Sequence, residues 1–114
     1  MGAKSDKQIL GAHFSIAKGL HDAVYQAKAY GCNTLQMFTK NATAWKERMV
    51  TPAEQKRFEL AKTETGIHTI YSHTSYLINL ASPDPKKHAM SYSALKQELI
   101  RSSTLRIPYC VLHP

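Results

Sequence analysis

The sequence has few cysteines, no long apolar run and few acidic residues. Its only two cysteines, Cys32 and Cys110, lie far apart and match no metal-binding spacing, which argues against a disulfide scaffold or a cysteine-based zinc module. No apolar run is long enough to cross a bilayer. The first ten residues, MGAKSDKQIL, lack the apolar segment of a secretory signal. We therefore expect a cytoplasmic protein with no membrane partner.

The shortage of acidic residues leaves a strong positive charge. There are 15 lysines and arginines against 8 aspartates and glutamates, a formal net charge of +7. Such an excess favours a polyanionic partner such as nucleic acid, because neutralising phosphates releases counterions. Lysines that only keep helix surfaces soluble would give the same count, so composition leaves both interpretations open.

Short apolar runs alternate with helical patterns along the 114 residues. The runs typical of strands fall at 9–14, 34–39, 67–72 and 109–112. The helical patterns between them cover 19–30, the segment from 52 to about 66, and 85–105. This βαβαβαβ order predicts a parallel α/β sheet in one domain, 1–114, without internal repeats.

Local signals mark the helix ends. Thr51, Pro52 and Glu54 form the pattern of a capping box with proline at the first helical position. Gly31 follows the first helix as a residue able to take positive φ. Arg106 stands where a helix-ending glycine is expected, so the end of the third helix is less well specified.

Histidines and polar residues recur where the predicted strands end. These positions are His13, Lys40 with Asn41, His73 and His113. Binding and catalytic groups of parallel α/β folds gather at the carboxyl ends of strands. The other histidines, His21, His68 and His88, are assigned to helix surfaces, where a structural or solvated role is expected.

His73 and His113 end neighbouring strands, so their side chains are expected to converge above the sheet. Neutral imidazole is a common zinc ligand. A catalytic zinc needs about three protein ligands, and no carboxylate lies at a strand end of this sequence. The alternative is that both histidines bond only to the backbone. His13 is interpreted as a packing histidine.

The loops after the second and third strands carry the remaining candidates. Tyr76 and Leu77 follow His73 and are either an apolar wedge of the kind that enters distorted DNA or simple packing of the loop. Lys40 and Asn41 are either phosphate contacts or an ordinary polar strand end. Trp45 is a loop anchor or a stacking surface.

Four segments together resemble one protein family. They are GAHFS at 11–15, FTKN at 38–41 with Trp45, HTSYLINL at 73–80 and LHP at 112–114. In this order they resemble the amino-terminal portion of the endonuclease IV family, and HTSYLINL is the most specific of them. The GAH start alone also suits the wider xylose isomerase-like barrels.

The resemblance implies a TIM (β/α)8 barrel of the xylose isomerase-like type, of which this chain holds the first four strands and three helices. It implies a trinuclear zinc cluster that hydrolyses the phosphodiester 5′ to abasic sites in duplex DNA, in base excision repair. The protein would then associate with the nucleoid when bound to DNA.

The resemblance also implies individual roles. His73 and His113 correspond to two ligands of one zinc ion, Tyr76 and Leu77 to the loop that enters DNA at the lesion, and Lys40 and Asn41 to a DNA-binding loop. Two positions depart from the pattern. The segment 42–44 reads ATA, without the basic residue that members often have, and Thr74 stands where some members have aspartate.

Length sets a further expectation. A (β/α)8 barrel takes about 250 residues, so the remaining ligands would lie outside this chain, and we expect it to be inactive alone. Its unpaired sheet edges predict self-association or pairing with a carboxyl-terminal half. Two other functions stay open: a sugar isomerase or epimerase of the same superfamily, and a non-catalytic basic chain that binds nucleic acid.

Overall fold

The computed structural model describes residues 8–113, and they form the predicted alternation of strands and helices. The elements are β1 (Gly11–His13), α1 (Leu20–Ala29), β2 (Thr34–Met37), α2 (Pro52–Thr65), β3 (Ile70–His73), α3 (Pro85–Thr104) and β4 (Tyr109–Val111). In this part of the chain no helix is long and apolar enough to cross a membrane.

The four strands form one parallel sheet in the order β1-β2-β3-β4. Each strand lies beside the next one along the chain, joined by a helix, as in the first half of an eight-stranded barrel. The register places Leu35 opposite Ile70, and Ser72 opposite Cys110. The predicted parallel α/β arrangement is therefore confirmed.

The core lies on one face of this sheet only. Leu35, Met37 and Ile70 point towards the helices and are buried. They pack with apolar residues of the first two helices: Leu20, Ala23, Val24, Ala27, Phe58 and Ala61. On the opposite face, the rings of Tyr71 and Tyr109 stack 4.9 Å apart and are partly exposed. Neighbouring residues of a strand point to opposite faces, and the helices cover only the first face. In a (β/α)8 barrel the helices lie outside, so this second face corresponds to the interior of the barrel.

The helix ends follow the predicted signals. The Glu54 backbone N–H donates to Thr51 Oγ1 over 3.1 Å, and the Thr51 N–H donates to Glu54 Oε1 over 3.0 Å, which completes the capping box. Gly31 and Gly66 take left-handed φ values of 79° and 73° after α1 and α2. Arg106 takes the same role after α3, at φ 54°.

One assignment from the sequence is wrong, and the strands are shorter than predicted: β1 covers 11–13 instead of 9–14, and β2 ends at Met37 instead of residue 39. His68 is not on a helix but in the connection between α2 and β3. That strand begins at Ile70 rather than at residue 67 because strand pairing starts with Ile70 opposite Leu35. Ile67 still packs in the core. His21 and His88 do lie on helices, in α1 and α3.

Candidate metal centre and nucleic-acid surface

Three ring-bearing side chains at the carboxyl end of the sheet surround Phe38, which directly follows β2. The Phe38 ring centroid lies 4.6 Å from that of His13, 5.3 Å from that of His73 and 5.3 Å from that of Tyr76. His113, two residues beyond the end of β4, adds its ring 4.7 Å from that of His73. Strand order thus brings all three predicted strand-end histidines to one place.

His73 and His113 face each other through their Nε2 atoms, which are 2.7 Å apart. His73 Nδ1 lies 2.6 Å from the Thr74 carbonyl oxygen. A carbonyl only accepts, so Nδ1 carries a proton and donates it, and in neutral His73 the Nε2 lone pair points at His113. The Thr74 N–H donates to the Val111 carbonyl over 3.0 Å, and this bond holds the ends of β3 and β4 together.

This pair has the donor chemistry of half a zinc site. Metal-binding histidines usually donate their second ring N–H to a carbonyl or carboxylate, which fixes the tautomer that presents a lone pair to the ion. The contact of His73 with Thr74 has that form. Within residues 8–113 no group of three or more His, Cys, Asp or Glu side chains is placed to hold a metal. The chemistry of the two imidazoles fits zinc, but they supply only part of the ligand set that a zinc ion needs.

His13 is held differently. Its Nδ1 lies 3.1 Å from Gln36 Nε2, an amide nitrogen that only donates, so Nδ1 accepts and the proton of the neutral ring sits on Nε2. Burial lowers the pKa of His13, and the neighbouring His73 lowers it further. Together with its edge-on contact to Phe38, this agrees with the packing interpretation of His13.

The loop after β3 exposes one aromatic ring. Tyr76 is 69% exposed, although its ring makes a T-shaped contact with that of Phe38. Its N–H donates to the Ala42 carbonyl over 3.0 Å, which joins this loop to the one after β2. Leu77 is half-buried and Ile78 is buried. Packing thus accounts for Ile78, whereas Tyr76 remains on the surface.

Lys40 and Asn41 differ in accessibility. Lys40 is only 5% exposed, and its Nζ donates to the Ala44 carbonyl. Burial lowers the pKa of Lys40, while Glu47 acts in the opposite direction. Asn41 is exposed, and its Oδ1 accepts from the N–H and hydroxyl of Thr43 over 2.9 and 2.8 Å. Asn41 is thus the accessible residue of the pair, and Lys40 shapes the loop from within.

A buried polar network behind the loop is absent from the predictions made from sequence. Glu98 and Arg101 of α3 are 1% and 3% exposed. Glu98 Oε2 accepts from Thr39 Oγ1 over 2.6 Å, and Arg101 Nε donates to the same hydroxyl over 2.9 Å. No sequence signal marks this network, because charged residues on a helix are more often solvated than buried. The buried positions of α3 are Ser91, Ala94, Glu98, Arg101 and Ser102.

Comparison with known proteins points to one superfamily. The xylose isomerase-like TIM barrel family matches residues 24–114. A probable endonuclease 4 from Halorhodospira halophila is 44% identical over 105 residues, which cover 92% of this chain and 35% of that protein. A probable endonuclease 4 from Citrifermentans bemidjiense is 41% identical over 106 residues, 93% of this chain and 38% of that protein.

A solved structure agrees with these relatives. The crystal structure of endonuclease IV from Thermus thermophilus superimposes with a TM-score of 0.86 at 34% identity, over 91% of this chain and 39% of that one. The chain thus spans a little over a third of the length of the curated relatives and of the solved structure that it matches.

Proposed function

We propose that this chain, which belongs to the xylose isomerase-like TIM barrel family, is part of a zinc-dependent DNA repair endonuclease. Most of the chain resembles endonuclease IV. The reaction we assign is hydrolysis of the phosphodiester 5′ to an abasic site in duplex DNA. The observation that carries this proposal is the pair of Nε2 atoms of His73 and His113, 2.7 Å apart at the carboxyl end of the sheet.

In this proposal His73 and His113 would be two of the ligands of one zinc ion, through Nε2. A zinc ion supplies a water of lowered pKa and a positive charge that stabilises a leaving oxygen. The protein's own contribution is orientation. The Thr74 carbonyl accepts the Nδ1 proton of His73, which leaves the Nε2 lone pair available to a metal, and the packing of Phe38 against the His73 ring keeps that ring in place.

The DNA is expected to meet the exposed residues beside this pair. Tyr76 and Leu77 would occupy the space at the lesion, where no base has to be unstacked and the distortion costs only a few kcal/mol. Asn41 would contact the backbone, and Lys40 would support that loop from within. The net charge of +7 supplies affinity for any duplex. We also propose a cytoplasmic location, at the nucleoid when the protein is bound to DNA.

A small-carbohydrate function of the same superfamily is less well supported. A small neutral sugar gains no affinity from a net charge of +7, whereas a polyanion does. An exposed ring and a basic chain suit a large anionic partner better.

Zinc binding is the first test. Titration of the 114-residue chain against a chromophoric chelator should give a zinc affinity that falls by about tenfold or more in both His73→Ala and His113→Ala. His88→Ala, on the exposed surface of α3, is the matched control and should bind zinc like the wild type. Equal zinc affinity in all four proteins would refute the metal site and leave the metal-free nucleic-acid binder as the better description.

Binding to damaged DNA is the second part of the test. Fluorescence anisotropy should show tighter binding to a duplex containing a tetrahydrofuran abasic analogue than to the intact duplex. Tyr76→Ala should reduce that preference, while Tyr92→Ala, a tyrosine of similar exposure (66% against 69%) on α3, should not. Absence of any preference in the wild type would argue against lesion recognition by this chain.

A further inference from the structure

The segment from Phe38 to Val50 has no regular secondary structure, yet it is fixed at several points. Its 13 residues connect β2 to the capped start of α2 and carry Lys40, Asn41 and Trp45. Irregular connections of this length in compact domains are usually functional. We call it the 38–50 loop. Within it, Lys40 Nζ donates to the Ala44 carbonyl, and from outside it, the Tyr76 N–H donates to the Ala42 carbonyl.

Arg101 of α3 anchors both ends of this loop. Its Nε donates to Thr39 Oγ1 over 2.9 Å, near the start of the loop. Its Nη1 donates to Glu47 Oε1 over 2.6 Å, near the end, and lies 3.5 Å from the Arg48 carbonyl oxygen. Its Nη2 donates to Glu98 over 3.2 Å. All three guanidinium nitrogens are therefore bonded, and two of them bond to the loop.

Stability alone does not explain this arrangement. The desolvation of a buried ion pair offsets much of its Coulomb attraction, so an apolar pair of similar volume often stabilises as well or better. A guanidinium fork differs in selecting one geometry, because its donors lie in a rigid plane. What that geometry fixes here is the position of Thr39 relative to Glu47, that is, the span of the loop.

We propose that Arg101 is a positioning residue that holds the 38–50 loop, and through the Ala42–Tyr76 bond the loop after β3, as one preformed surface for nucleic acid. At 3% exposure it lies beneath that surface and does not touch the ligand. The nucleic-acid part of this inference rests on the proposed function, whereas the positioning of the loop is independent of it.

Trp45 makes the loop observable, because it is the only tryptophan of the chain. Glu47→Gln removes the negative charge that is paired with Arg101. Because the Glu47 side chain is 32% exposed, the fold is expected to tolerate this change. We expect acrylamide quenching of Trp45 to rise and affinity for abasic duplex to fall about threefold, the scale of one partly exposed ion pair. Glu59→Gln is the matched control, since it removes the ion pair with Lys62 in the middle of α2. It should leave both readouts unchanged.

A second variant distinguishes a local change in the loop from a general loss of structure. Arg101→Lys keeps the charge but cannot reach Thr39, Glu47 and Glu98 together, so it should raise Trp45 quenching at least as much. In the double variant, Glu47→Gln should add little further quenching, because both changes break the same contact. Quenching in Glu47→Gln equal to the wild type, or fully additive effects in the double variant, would overturn the positioning role. Increased quenching with unchanged DNA affinity would keep that role and refute the loop's part in DNA binding.

Discussion

Replacing Arg106 by glycine should stabilise this protein. Arg106 follows α3 at φ 54°, a left-handed conformation that costs an L-residue roughly 1–2 kcal/mol because its Cβ approaches the following carbonyl oxygen. The chain makes the equivalent turn after α1 and α2 with Gly31 and Gly66, at φ 79° and 73°. Among the helices of residues 8–113, only α3 is followed by a residue with a side chain in this conformation.

The expected gain is smaller than the strain that is relieved. Glycine increases the conformational entropy of the unfolded chain, which costs about 0.4–1 kcal/mol. The favourable influence of Arg106 on the Glu59 carboxylate, one of the causes of that group's lowered pKa, is also lost. The net expectation is a stabilisation of about 0.5–1 kcal/mol, which corresponds to roughly 3–6 °C in Tm for a domain of this size.

Urea denaturation followed by far-UV circular dichroism measures this difference. Arg106→Ala is the first control, because it removes the charge but keeps a Cβ at φ 54°. Gly66→Ala is the second. A Cβ at Gly66 meets nothing within 4 Å, so the loss there reports backbone strain reduced by the entropy that alanine removes from the unfolded chain, and it should be about 1 kcal/mol. If Arg106→Gly is no more stable than Arg106→Ala, the argument from strain fails.

Two further predictions concern the start of α2. Thr51→Ala removes the hydroxyl that accepts the Glu54 N–H and should lower the free energy of unfolding by about 1 kcal/mol, while Thr63→Ala, inside the same helix, should not. Burial opposes the ionisation of Glu54, but the Thr51 N–H and the Arg48 guanidinium outweigh it and lower the pKa of Glu54 below its ordinary 4.5. This carboxylate therefore contributes stability above that value and loses it as pH falls through the folded-state pKa. Glu54→Gln should weaken the acid dependence of unfolding measured in urea, and an unchanged dependence would contradict the assignment.

The parts of the fold that are local in sequence were predictable. The Thr51–Glu54 capping box, the glycine after α1 and the unusual Arg106 all depend on residues within a few positions of one another. The approach of His73 and His113, 40 residues apart in sequence, was also predictable, because the ends of neighbouring parallel strands must meet. That prediction required only the order of the strands in the sheet.

Contacts that depend on packing were not predictable. The start of β3 is set by its pairing with β2, and the apolar character of Ile67 gave no sign that pairing begins only at Ile70. The bonds from Thr39 to Glu98 and Arg101 span 59 and 62 residues. Nothing in the sequence near Thr39 indicates its partners, and a charged pair on a helix is more often solvated than buried.

The buried network extends to the strand that carries His73 as well as to the loop. Glu98 Oε2 accepts from Thr39 Oγ1 and from Ser102 Oγ, over 2.6 and 3.2 Å. Ser102 Oγ in turn lies 2.7 Å from Ser72 Oγ, the residue before His73. Because consecutive strand residues point to opposite faces, Ser72 meets α3 on the helix side while His73 faces the other way.

Glu98 thus fixes the strand that presents the candidate ligand without touching the ligand. Arg101 bonds to Glu47 near the end of the loop, whereas Ser102 bonds to Glu98. A change at Glu98 should therefore alter both zinc affinity and the quenching of Trp45, whereas a change at Glu47 should alter the quenching and leave zinc affinity unchanged. The Glu98 carboxylate of α3 is therefore the one group that supports both the candidate zinc ligand and the 38–50 loop.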